Sequence, residues 1–502
     1  MTRRPGEPPA PAGHGRWPRR LGALALAALT ALAGWAPPAG AQWRPPRARP
    51  VAVPVNLLAL DERLLLSVDD GEHGQELWIL DAPDRPPHLL ADIRPGALGS
   101  HPSQPVRFGR QACFAANDGV SGFELWCTDG TAGGTRRVAD IRPGPDDSVP
   151  SALTPLAERL LFVADDGRHG FELWTSDGTE GGTRLLKDLN PGAAGSNPRE
   201  LVRVGDRVFF VADDGRHGAE LWVTDGTPAG TRAVRDLRPG PVGAMPARLT
   251  AVDSQLFFVA DDGRHGPELW VSDGTARGTR LVRDILPGAA GSRPTSLAAW
   301  NKRLYFAADD GRHGIELWTS NGTAAGTRLV RDLHPGPGHG LPAHLTAAAG
   351  GLFFAASDGA GPVQLWRSDG SAAGTRLVPQ PMAPAQARAA LAARQAPGED
   401  APRQTVPGGE VPNRLTADGS RLLYAALDAE YGYELWTADG SAAGARLLAD
   451  LAPGPADSYP HQFTRVGPRL YFAADDAQGL TTLWCEEPDG RIQAVPLPNR
   501  SR

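Results

Sequence analysis

From Leu249 to Ile285 the chain reads LTAVDSQLFFVADDGRHGPELWVSDGTARGTRLVRDI, and its apolar positions fall into four short runs. The runs are Leu249–Val252, Gln255–Ala260, Pro267–Ser272 and Thr279–Ile285. Each is rich in Val, Phe, Leu or Trp and bounded by Asp, Gly or Pro, a pattern that predicts β-strands too short to be helices. Asp273-Gly274, between the third and fourth runs, predicts a tight hairpin turn, because both residue types tolerate positive φ.

The same pattern recurs along the chain. Trp78, Trp126, Trp174, Trp222, Trp270, Trp318 and Trp366 are spaced 48 residues apart; Trp436 follows after 70 and Trp484 after another 48. Nine copies result, with 22 extra residues between the seventh and the eighth. Four strands per repeat of this length predict an all-β fold, a β-propeller of four-stranded antiparallel blades. The link Pro287–Pro294 is then the crossover from an outer strand to the next inner strand. Strand-like segments persist at both ends, at Val55–Leu60 and Arg491–Leu497. The pattern therefore predicts one ring of nine blades over residues 53–497, closed by packing of the last copy on the first; an eight-bladed ring with one copy outside is the alternative. In copy two, a register in which paired residue numbers sum to 240 sets Trp126 opposite Phe114, an aromatic pair expected to pack blade on blade. The Glu before each Leu-Trp is expected to make a blade-spanning hydrogen bond to the Arg of the following Gly-Thr-Arg.

These residues carry a resemblance. Glu172-Leu173-Trp174-Thr175-Ser176-Asp177-Gly178-Thr179 and its counterpart at Glu220–Thr227 resemble the ELWxxDGT repeat family of secreted bacterial proteins. The crossover Asp92-Ile93-Arg94-Pro95-Gly96-Ala97-Leu98-Gly99-Ser100-His101-Pro102 is similar to that family's DIxPGxxGSxP stretch. The likeness covers nearly all of residues 53–497 and implies an exported, propeller-type repeat protein; it implies no reaction, cofactor or catalytic residue. The first, seventh and ninth copies depart from the pattern, with Ile79-Leu80-Asp81-Ala82-Pro83 replacing the turn, Gln364 replacing the Glu, and Glu487-Pro488-Asp489-Gly490 ending the third strand.

The N-terminus changes the picture of where the chain resides. Arg3, Arg4, Arg16, Arg19 and Arg20 precede the apolar run Leu21–Leu32 and an Ala39-Gly40-Ala41 site, which predicts a signal peptide over residues 1–41. The run is shorter than the ~20 residues a membrane span needs. The expected product is exported, periplasmic or extracellular, with a Pro/Arg-rich linker at 42–52 and a short tail at 498–502. It carries 46 basic and 56 acidic residues, a charge of −10, which argues against nucleic acid as a partner. A monomer is expected.

Candidate chemistry comes from three places. The Asp-Asp-Gly loops, with Asp165 and Asp166, Asp213 and Asp214, Asp261 and Asp262, and Asp309 and Asp310, offer paired carboxylates of the kind Ca²⁺ takes; an ordinary turn explains the same letters. No cofactor is otherwise expected. Departures between copies concentrate in copies six to eight. There His334, His339 and His344 lie in one crossover region, where they could hold a transition metal or line a binding site. Tyr431 and Tyr433 replace a His-Gly pair and suit contact with a sugar or protein. The insertion at 381–412 is a candidate lid or partner site, or a plain surface loop. Cys113 and Cys127 face each other in the register above, which predicts a disulfide in an exported protein; Cys485 is left as a buried thiol.

The second-to-third-strand loops and the crossovers must share one face of such a ring, so a binding surface is expected there. The leading reading is a non-enzymatic exported scaffold for a protein, glycan or envelope component. A propeller-based glycan hydrolase or lyase with a site near copies six to eight is the second reading, and a calcium-stabilised surface protein the third.

Overall fold

The computed structural model describes residues 53–379, 412–428, 430–441 and 444–498. The expected signal peptide and linker, the insertion up to residue 411 and the tail beyond Pro498 fall on residues outside those described.

Among the described residues the regular elements are strands, arranged as nine four-stranded sheets. Within each sheet the strands pair in chain order, each antiparallel to the next, so one repeat makes one blade. The fold is a nine-bladed β-propeller, which removes the eight-bladed alternative. Blade five consists of Ala247–Val252, Gln255–Asp261, Pro267–Ser272 and Arg280–Arg283. Its last strand is shorter than the apolar run because the chain leaves the sheet where the Leu286 N–H is claimed by Glu268, at 3.1 Å.

First strands of successive blades lie side by side around the centre, and that of blade nine (His461–Val466) lies against that of blade one (Val55–Leu60). No strand is borrowed across this joint. The Leu57 N–H reaches Gln462 Oε1 at 3.4 Å, the Thr464 hydroxyl reaches the Leu57 carbonyl at 3.3 Å, and a shared apolar cluster joins Leu64 and Trp78 to Tyr471, Leu483 and Val495. The eight other clusters also straddle neighbouring blades, as where Leu156, Leu161 and Leu173 of blade three meet Phe210 and Trp222 of blade four. Second strands such as Val208–Ala212 are buried on both faces, which is why they read as unbroken apolar runs.

Register follows the alternation. Phe114 pairs with Trp126 and Cys113 with Cys127, and the two cysteines are joined by a disulfide across a Cα separation of 4.1 Å. Some of the indole N–H groups are used as well: Trp222 Nε1 donates to the Ala212 carbonyl at 3.1 Å, and Trp270, Trp366 and Trp484 make the equivalent bond.

Two backbone features were not visible in the pattern. The Asp-Gly turn is not a two-residue hairpin but a loop from Asp273 to the start of the fourth strand. Gly274 alone takes positive φ (85°), while Asp273 Oδ1 accepts the Thr275 N–H at 2.8 Å and its hydroxyl at 2.7 Å, closing the turn with side-chain bonds. In addition, the second residue of every first strand is left-handed: Asn56, Gln104, Ala152, Glu200, Arg248, Ser296, His344, Arg414 and Gln462. The first-to-second-strand register shifts just beyond it, so each inner strand carries a bulge. Several of these side chains lace one blade to the next: Gln104 Oε1 accepts the Ala152 N–H at 3.3 Å, and Glu200 Oε2 the Leu249 N–H at 2.9 Å.

Candidate functional site

The face carrying the crossovers is built by the repeated Glu. Glu172 is fully buried, and its carboxylate accepts the Leu189 N–H (3.3 Å), the Asn190 N–H (3.1 Å), the Ser196 N–H (2.8 Å) and the Ser196 hydroxyl (2.6 Å). It pins both ends of the crossover to the third strand. The expected bond to the Arg of Gly-Thr-Arg is not formed; that arginine instead reaches the next blade's Asp-Gly turn, as Arg232 does with the Gly274 carbonyl at 2.7 Å. Burial drives the carboxyls up: to about 7 for Glu124, Glu220 and Glu434, with Glu76, Glu172, Glu268 and Glu316 raised in the same sense.

The second-to-third-strand loop lies on the same crossover. A Cβ at Gly170 would meet Gly195 N at 2.7 Å, and one at Gly195 would meet Phe171 N at 2.5 Å, so two backbones touch where side chains cannot fit. In blade six the second glycine is replaced by His339, whose Nδ1 accepts the Ile315 N–H at 3.0 Å. Asp457 Oδ1 does the same for Tyr433 at 2.9 Å. His339 is thus a substitute acceptor in the fold. His334 packs over Gly359 of blade seven, as Arg142 packs over Gly167 of blade three. His344 belongs to the inner-strand bulge, at φ 55°. The three histidines are not brought together: among the described residues the grouping of three possible metal-ligand atoms within 4.8 Å of one another is Asp70, Glu72 and His73.

The Asp-Asp-Gly loops spend their carboxylates internally. Asp166 Oδ1 accepts the Arg168 and His169 N–H groups, both at 2.9 Å, and Oδ2 meets His169 Nδ1 at 2.7 Å. Asp214, Asp262 and Asp310 repeat this with His217, His265 and His313. Of the first aspartates, Asp165, Asp213, Asp261 and Asp309 each accept the glycine N–H two residues on, at 2.7–2.8 Å. Arg142 and Arg238 from the preceding crossover add bonds to Asp165 and Asp261 at 3.1 and 3.0 Å. The bond from Asp166 raises His169, and that from Asp214 raises His217. In blade one the same cluster includes Asp70, whose two oxygens hold Glu72 N, His73 N and His73 Nδ1.

What varies on this face is its exposed apolar side chains. Leu98, Val120, Val149, Val242, Met245, Leu341 and Tyr459 lie in crossovers or second-to-third-strand loops, and Val53 occupies the matching position before blade one. Of the exposed large apolar residues among those described, Leu377 alone lies elsewhere, in a fourth strand. Val149, Met245, Leu341 and Tyr459 all sit in the left-handed position before the crossover proline, at φ 48–50°. For β-branched Val149 this is a strained conformation, of order 1–2 kcal/mol. Tyr433 packs against Tyr459, ring centroids 5.3 Å apart and planes tilted by 33°, rather than pairing with Tyr431, which stays in the loop. Tyr459 is the partner that sequence reasoning missed; its place in the Ser-x-Pro step was the available signal.

No family model and no curated protein matches this chain. Among solved structures it is similar to a puromycin hydrolase crystal structure at 16% identity and a TM-score of 0.37, covering 80% of this chain and 60% of that one. A structural study of two prolyl endopeptidases gives 13% identity and a TM-score of 0.37 over 65% of this chain and 50% of that one. The tricorn protease gives 12% and 0.26 over 90% and 40%. The chain spans about 60% of the length of the first of these. Likenesses at this level concern the fold and carry nothing about activity.

Proposed function

We propose that this protein is an exported, non-enzymatic β-propeller that serves as a binding scaffold at the cell envelope, meeting a protein or glycan with its crossover face. The observation that carries the reading is the gathering of exposed apolar side chains, Leu98, Val120, Val149, Val242, Met245, Leu341 and Tyr459, on that one face. Scattered apolar residues are normal on any surface, but their concentration on one face is a mark of an interaction surface. The repeated Glu, Asp, His and Gly of the same face support the reading from the other side, because they hold loops in place and leave the variable positions to meet a ligand.

The test is a triple variant, Met245→Ser, Leu341→Ser and Tyr459→Ser, compared with the parent chain for sedimentation with purified envelope fractions. Loss of co-sedimentation at an unchanged unfolding midpoint is the expected result. Undiminished co-sedimentation by the triple variant would overturn the assignment of the face.

A further inference from the structure

The opposite face, formed by the first-to-second-strand and Asp-Gly turns, contains an internal comparison. The fifth residue of the first strand is Arg in three blades, Arg107, Arg203 and Arg465, and Ala or Pro in the other six. Two of these arginines receive a carboxylate from the preceding blade. Arg107 Nη2 meets Asp61 Oδ1 at 2.6 Å; Arg465 meets Asp418 through Nε and Nη2, both at 2.6 Å. Asp418 also takes Arg421 Nε at 2.9 Å, so two guanidinium groups converge on one carboxylate.

Arg203 has no such partner. The preceding turn offers Leu156 where blade eight has Asp418, and Ala157 where blade one has Asp61. Its own bonds go to backbone carbonyls, Gly205 at 2.9 Å and Pro155 at 3.5 Å. Beside it stands Arg159, the counterpart of Arg421, lying against Gly226 of the next blade's turn. Arg63 and Arg207, at the same place in blades one and four, bond turn carbonyls at 2.9 and 3.1 Å. Neither Arg159 nor Arg203 has a carboxylate within 4 Å among the described residues. Between them opens a cleft of about 530 Å³.

We propose that this cleft binds the carboxylate of a uronic-acid sugar, with Arg203 and Arg159 doing for it what Arg465 and Arg421 do for Asp418. Two guanidinium forks converging on one carboxylate are what charge-assisted recognition of that group requires. The rim decides the rest of the ligand. Glu158, Asp206 and Asp225 also line the cleft; Asp206 lies 3.5 Å from Arg207, and Asp225 Oδ1 accepts the Thr227 N–H and hydroxyl. These carboxylates repel a polyanion such as an acidic peptide, but they accept hydrogen bonds from hydroxyls. A uronate brings one carboxylate and several hydroxyl donors. The site lies away from the crossover face and stands or falls independently of the scaffold reading above.

The probes are D-galacturonic acid and D-glucuronic acid, each with a single carboxylate, titrated calorimetrically into the full chain at low salt, with D-galactose and triglutamate as comparisons. Expected is saturable binding of the uronates, weakened about tenfold or more by Arg203→Ala, the loss of a charged hydrogen bond. The sharper variant is Ala157→Asp. Ala157 is exposed at φ 49° and Asp61 sits at φ 53°, so the substitution rebuilds in place the pair that Arg107 makes. It should abolish uronate binding while leaving the unfolding midpoint unchanged or higher. Absence of uronate binding, binding indifferent to Ala157→Asp and Arg203→Ala, or equal binding of galactose would overturn the site; preference for triglutamate would overturn the sugar. Envelope co-sedimentation that survives Ala157→Asp separates this site from the crossover face.

Discussion

Glu220 offers the sharpest quantitative test of how the crossovers are held. Its carboxylate is buried against three backbone donors and no cation: Leu237 N at 3.3 Å, Arg238 N at 3.2 Å and Ala244 N at 2.9 Å. Burial outweighs those donors and moves the carboxyl from 4.5 to about 7. A raised carboxyl means that the folded state holds the proton more tightly than the unfolded chain. Its contribution to stability is therefore fully present below pH 4.5 and is lost as pH rises through about 7. At about 1.4 kcal/mol per unit, the loss across that window is about 3 kcal/mol. Glu220→Gln cannot titrate and sacrifices one acceptor, leaving a buried N–H unpaired at a cost of about 1–2 kcal/mol. At pH 4.5 the variant should be the less stable by that amount; at pH 8 it should equal or exceed the parent. Urea titrations followed by tryptophan fluorescence at both pH values measure the change. A gap that stays constant with pH, or widens toward pH 8, would refute the reasoning, since it would mean that the three donors stabilise the anion more than burial disfavours it.

Four other outcomes follow from the same structure. Because seven buried Glu and the histidines His73, His169 and His217 are all shifted upward, the parent's unfolding midpoint should fall steadily from pH 4.5 to 8, measured by differential scanning calorimetry. Reducing the Cys113–Cys127 bond, which closes a separation of 14 residues, should cost about 3 kcal/mol in urea titrations with and without dithiothreitol. Asp418→Ala leaves Arg465 without its carboxylate and should destabilise by about 1–2 kcal/mol, since Arg465 is 43% exposed and Arg421 keeps Glu486, whereas Asp418→Leu, which places there the residue found in blades one and three, should cost clearly less. Millimolar Ca²⁺ after EDTA should leave the unfolding midpoint in place, because Asp166, Asp214, Asp262 and Asp310 already have both oxygens engaged by their own loops.

The difference between what the chain announces and what it conceals is one of range. Strands and register are set by neighbours a few residues away, so Phe114 opposite Trp126, and with it Cys113 opposite Cys127, could be read from alternation alone. Blade count followed from spacing. The partners of a buried Glu are only half legible: the Ser196 hydroxyl that meets Glu172 recurs in the crossovers as Ser100, Ser148, Ser292 and Ser458, but the remaining donors are N–H groups that any residue except proline at 189 or 190 would supply, and these leave no trace in side-chain identity. The same holds for the left-handed inner residues: Asn56 and Ser296 suit that conformation, but Ala152, Glu200 and His344 hold it equally, so composition marks nothing while the bulge recurs nine times. His334, His339 and His344 looked like a site since they are close in sequence, yet each occupies a different repeated position, and the ring assigns those positions to different tasks. In a repeat protein the informative comparison is therefore vertical, between equivalent positions of successive blades, rather than along the chain. Arg203 is noticed by that comparison only: it is one arginine among many until Arg107 and Arg465 show what its neighbours in the ring were given and it was not.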